Sequence, residues 1–89
     1  MNINIPNGLP EYAVDGVGMQ TNAWGAKLLL GSHRADGTAI DVKLVAALSP
    51  QTMKALYLVL KRQVEHFEEK WGAINLPAEV LHNLGEELG

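Results

Sequence analysis

The side chains of this chain that could do acid–base, nucleophilic or metal chemistry are few and widely separated. His33, His66 and His82 each stand without a second histidine one helical turn away, so the paired-imidazole spacing of a zinc site is absent. His66 with Glu65 or Glu69 is the nearest approach to a ligand pair. The same residues, with Arg62 and Lys70, also make an ordinary solvated helix face, and a metal needs three or four ligands. There is no cysteine, which removes disulfides, thiolate metal sites and thiol catalysis and fits a reducing compartment. Ser32 and Ser49 are the two serines, and neither sits in the Gly-x-Ser-x-Gly turn that exposes a nucleophile between strand and helix. The glycine-bearing stretches Gly16-Val17-Gly18 and Gly31 to Gly37 neither lead into a helix nor end in Gly-Lys-Ser/Thr, so they do not cradle a phosphate. Asp15, Asp36 and Asp41 fall on strand and turn positions with no periodicity that makes two of them converge. No catalytic residue, cofactor or metal site is expected.

Charge and composition narrow the partners. Seven basic and ten acidic residues leave a net charge of -3, and Lys27, His33, Arg34, Lys54, Lys61 and Arg62 form no continuous basic run with interleaved aromatics, so nucleic acid is not an expected ligand. Hydrophobic residues make up 47% and charged residues 19%, a globular balance, and 89 residues hold one small domain of modest stability. The longest apolar run, Ala55 to Leu60, is far short of the roughly 20 residues that span a bilayer. The first ten residues contain no Lys or Arg and no signal-like apolar core, which reads as a cytoplasmic start. Residues 1–10 are expected to be a flexible arm or an edge strand, and residues 11–89 a single α+β domain.

The elements that would position any site read as a meander followed by a helix. Glu11 to Met19 is a short strand weakened by Gly16 and Gly18, Thr21-Asn22 a turn, and Ala23 to His33 a second strand with Trp24, Leu28 and Leu30 on one face. Asp36-Gly37 closes a hairpin, because both residues tolerate the backbone a tight turn requires. Thr38 to Leu48 then alternates, with Ile40, Val42, Leu44, Ala46 and Leu48 on one face and Ala39, Asp41, Lys43, Val45 and Ala47 on the other.

Ser49-Pro50 starts a helix, serine as cap and proline at the first position, where its missing N–H costs nothing. Met53, Leu56, Tyr57, Leu60, Val64, Phe67 and Trp71 recur at steps of three or four as far as Gly72, which suits a left-handed C-terminal cap. Trp24 and Trp71 are expected to meet in the core where the sheet face and the helix end come together. Ala55, Leu58 and Val59 add a second apolar face to the first half of the helix, which a sheet on the opposite side leaves wet. A second copy of the chain is the simplest cover. Ala73 to Leu76 is extended, and Pro77 opens a short helix through Val80, Leu81 and Leu84. This tail either completes the monomer core or faces a partner.

The run Val45-Ala46-Ala47-Leu48-Ser49-Pro50-Gln51-Thr52-Met53-Lys54-Ala55-Leu56, with Glu68-Glu69-Lys70-Trp71-Gly72-Ala73-Ile74 and Tyr12-Ala13, resembles the bacterial domain-of-unknown-function family numbered 3467. The likeness covers roughly residues 11 to 74, with Leu48 where methionine is commoner. It implies a fold and no activity. Ile74-Asn75-Leu76-Pro77 and the turn to Leu84 are similar to the end of the SecB-type export chaperones, which implies an oligomer with apolar grooves for extended polypeptide.

The expected architecture is therefore α+β: an antiparallel three- to four-stranded β-meander, one long α-helix and a short C-terminal helix. The expected function is that of a non-enzymatic protein-interaction domain, a homodimer or homotetramer with a protein or peptide partner. The candidate interface is Ala55, Leu58 and Val59 on the helix, with Leu29 and Val45 on the sheet. Two rivals accompany it: a peptide-holding chaperone, and a small-ligand or enzyme site formed between subunits by residues such as Asp41 and His33.

Overall fold

A computed structural model describes residues 1–78, 80 and 81 of the chain. Three strands, β1 (Gly16–Asn22), β2 (Gly25–His33) and β3 (Ile40–Leu48), form one antiparallel sheet in the order β1-β2-β3, and a single long helix, α1 (Pro50–Trp71), follows. This is the expected α+β meander and helix, with three strands. By backbone contacts the chain groups into two compact units, Met1–Ala55 and Leu56–Gly89.

The first hairpin lies later than the residue pattern indicates. Asn22 pairs with Gly25, so the turn is Ala23-Trp24, and β1 begins at Gly16 where a strand from Glu11 was expected. Two local features fix the turn. The Asn22 carboxamide oxygen accepts the Trp24 N–H at 2.8 Å, and Gly25 has φ +148°, a conformation that side chains disfavour. Trp24 is therefore a loop residue, 85% exposed, and not a core residue of β2.

The second hairpin closes where Asp36-Gly37 places it. Gly37 takes φ +74°, its N–H donates to the Arg34 carbonyl at 2.9 Å, and Arg34 N–H donates to Ala39. The alternation of β3 is broken, however. Leu30 pairs with Leu44 but Gly31 pairs with Val42, leaving Lys43 as the extra residue of a bulge. The expected row of five apolar side chains is thereby split. Leu44, Ala46 and Leu48 share a face with Val17, Met19, Ala26, Leu28 and Leu30, whereas Ile40 and Val42 cross to the face of Leu29 and Val45. Gly31 permits the bulge, since a Cβ there would run into the Asp41 carbonyl oxygen and lie 2.8 Å from the Val42 Cα. Ile40 in turn covers Gly16, where a Cβ would meet its side chain at 2.9 Å.

The helix is capped as its sequence demands. Ser49 Oγ accepts the Thr52 N–H at 3.1 Å, Pro50 is the first helical residue, and Gly72 closes the helix at φ +102° with its N–H donating to the Glu68 carbonyl. Beyond it, Val80 and Leu81 N–H groups both donate to the Pro77 carbonyl, a first helical turn. His82 and Leu84 of the expected short helix lie outside the described residues.

Burial is sparse. Ala26 is the one buried apolar side chain among the described residues, and no residue of α1 is buried. Trp71 stays 65% exposed, so neither tryptophan is core. Ile74 and Leu76 are each about half exposed, and the expected tail beyond Leu81 lies outside the described residues. Residues 1–10 are exposed and belong to no strand of the chain.

Candidate functional site

The candidate interface residues fall into two groups, each brought together by one element. In α1, Ala55, Leu58 and Val59 are exposed and lie within four residues of one another, which places them on adjoining faces of a single turn. Leu58 and Val59 keep 53% and 57% of their surface, and a shallow open depression beside them continues over Arg62 and Glu65. In the sheet, Leu29 and Val45 are direct cross-strand partners. The bulge adds Val42 and Ile40 to their face, so an apolar strip crosses β2 and β3, bordered by Lys27 and His33. The sequence had placed Ile40 and Val42 on the other side, and the neighbouring Gly31 was the one signal of a bulge.

Several polar residues in and beside the sheet are held in local pairs. His33 N–H donates to Asp15 Oδ1 at 2.8 Å, and His33 Nδ1 lies 3.2 Å from the same oxygen. That backbone N–H, with help from the imidazole and against some desolvation, holds the Asp15 carboxyl below its ordinary value. Arg34 Nε donates to Asp41 Oδ1 at 2.9 Å. Asp36 caps its own turn, accepting from Thr38 N–H and Thr38 Oγ1, and the N–H lowers its pKa as well. His33 and Asp41 sit on opposite faces of the sheet, since His33 shares the side of Leu29 and Asp41 that of Leu44. Within one chain they do not converge on a common ligand.

The Asp15–His33 pair escaped the sequence reading because it depends on the hairpin register. A turn centred on Ala23-Trp24 brings the residues before Gly16 alongside those after Gly31, whereas a turn at Thr21-Asn22 does not. Glu68 provides one further tie, its carboxylate accepting the Ile74 N–H at 2.9 Å and fastening the chain after Gly72 to the end of α1. Among the described residues no group of three His, Cys, Asp or Glu side chains could hold a metal ion, and no helix is long and apolar enough to cross a membrane. Among the described residues the polar contacts named above are local ties, and the extended features are apolar faces. Comparison with protein-family models, curated proteins and solved structures finds no match for the chain.

Proposed function

We propose that this chain is a non-enzymatic protein-interaction domain that associates with copies of itself, as a homodimer or homotetramer, and binds polypeptide or protein. The observation that supports it is the exposed apolar surface of Ala55, Leu58 and Val59 on a helix with no buried residue. Contiguous apolar surface of this kind marks interaction sites. Covering the exposed halves of Leu58 and Val59 returns about 1.5–3 kcal/mol per chain, from roughly 1.5–3 kcal/mol for each fully buried side chain. A charge in that surface should cost at least as much. The Leu58→Glu variant is therefore expected to have a smaller absolute mass by light scattering after size exclusion, with its helical circular dichroism retained. An unchanged mass overturns this reading.

A peptide-holding role has its own support in the Leu29–Val45 strip. It lies on a sheet whose outer strands, β1 and β3, have no further partner strand among the described residues, so an extended polypeptide could add at an edge and lay its side chains on the strip. On this reading the protein keeps a reduced, unfolded client soluble at an equimolar ratio, and Val45→Glu removes the effect. Failure to suppress aggregation excludes it.

A further inference from the structure

The longer apolar stripe of α1 has a spacing that does more than define one face. Met53, Tyr57, Leu60, Val64, Phe67 and Trp71 follow one another at steps of four, three, four, three and four, the seam of a coiled coil through the whole helix. All but Met53, which is partly covered, are exposed. A helix of 22 residues is about 33 Å long, just over three heptads.

The distribution of charge along α1 selects the partner and its direction. Lys54, Lys61 and Arg62 lie in the first part, whereas Glu65, Glu68 and Glu69 crowd the second, with Lys70 the one basic residue of the last turn. We infer that α1 pairs antiparallel with α1 of a second copy, in the register that overlaps the two seams completely. This rests on the reading of the chain as a self-associating domain and specifies one contact by which it does so.

In that register Met53 faces Trp71 of the other copy, Tyr57 faces its Phe67 and Leu60 faces its Val64, each layer occurring twice about the two-fold axis. The contacts match by type: thioether on indole, ring on ring, aliphatic on aliphatic. The positions flanking the seam bring Lys54 of one copy beside Glu68 of the other at both ends, whereas a parallel pair sets Lys61 beside Leu56 and Glu68 beside Gln63 of the other copy and makes no such charge pair. The two Lys61 side chains do meet near the axis. Each has Glu65 one turn along its own helix, so the like charges at that point are offset. The Ala55, Leu58 and Val59 surface lies off this seam and stays available for a separate contact. Two different two-fold contacts on one helix are enough to build a homotetramer of dihedral symmetry.

The absence of cysteine makes a direct test possible. Chains carrying Leu60→Cys and, separately, Val64→Cys are mixed under denaturant, refolded together and oxidised in redox buffer. The antiparallel pair is expected to give mostly the mixed disulfide, well above the share that random collision produces. Predominant like-with-like disulfides mean a parallel pair, and a random or negligible yield means no seam contact; each overturns the inference. The unmodified chain is weighed in solution alongside. A mass above the monomer with either contrary cross-linking result leaves self-association standing and removes only the helix pairing, whereas a monomer removes both. Repeating the cross-link in the Leu58→Glu background separates the two surfaces, since the mixed disulfide is expected to persist there. Its loss overturns the independence of the seam. Charge reversal supplies a readout free of engineered thiols: Lys54→Glu is expected to weaken association, and more steeply at low salt than at high salt. Equal association at both salt concentrations overturns the flanking charge pair.

Discussion

At the scale of single residues, the sheet is tied by exposed polar contacts whose worth depends on pH. Asp15 has its carboxyl lowered from 3.8 chiefly by the His33 backbone N–H, so the folded state binds its proton more weakly than the unfolded chain does. The stabilisation is complete above the unfolded value and is lost as pH falls through the lower folded value. Asp15→Asn is thus expected to be less stable than the parent at neutral pH, with the gap closing below about pH 4, as unfolding midpoints across an acid series would record. A constant gap would place the effect elsewhere. Gly31→Ala acts by sterics, since its methyl enters the space of the Asp41 carbonyl and the Val42 backbone, neither of which is a yielding side-chain tip. Its cost is expected at or above the upper end of the roughly 1–3 kcal/mol of ordinary overpacking, read from denaturant unfolding. Ser49→Ala removes the acceptor of the Thr52 N–H and should cost about 1 kcal/mol, with a matching loss of helical signal near the transition.

At the scale of elements, the bulge in β3 decides which apolar residues face together. Lys43 is the unpaired residue, so its deletion leaves Leu30–Leu44 and Gly31–Val42 in register, whereas deletion of Val45 turns every residue on one side of it to the wrong face. The Lys43-deleted chain is expected to unfold cooperatively at a midpoint near that of the parent, and the Val45-deleted chain well below it, by thermal circular dichroism. The same bulge marks the limit of what the residues disclose. Helix α1 was legible at both ends because Ser49-Pro50 and Gly72 act locally, through a cap, a fixed φ and a missing Cβ. The Asp36-Gly37 turn was legible for the same kind of reason. The β1–β2 turn was not, because Thr21-Asn22 and Ala23-Trp24 differ little in local preference and the choice rests on pairing along the strands. The bulge depends on the close approach of Gly31 and Val42, residues far apart in the chain, and the Asp15–His33 contact follows from register in turn. The interface candidates were legible as apolar residues in helical excess. That Leu29 and Val45 stand directly opposite one another needed the register.

At the scale of the whole molecule, the conformational entropy lost on folding must be met by apolar burial, and the described residues include one buried apolar side chain. Tyr57, Leu58, Val59, Leu60, Phe67 and Trp71 each keep close to half or more of their surface on one helix, and Leu44 and Val45 do so on the sheet. In proteins most helical stability comes from packing of an apolar face rather than from propensity, so the firmness of α1 depends on what covers it. Folding and association should accordingly be one transition. Where a second copy supplies the cover, mass action raises the stability of the folded chain with protein concentration, by about 2.7 kcal/mol of dimer for each hundredfold increase. The unfolding midpoint, followed by circular dichroism over such a range, is expected to climb steadily with concentration in the parent. In a chain carrying Leu60→Glu in the seam and Leu58→Glu beside it, helical signal at the lowest concentration should already be reduced. A midpoint that does not move with concentration, in a chain that is fully helical when dilute, would mean that the exposed faces are stable without a second copy, and the account of the helix as an assembly element would fall with it.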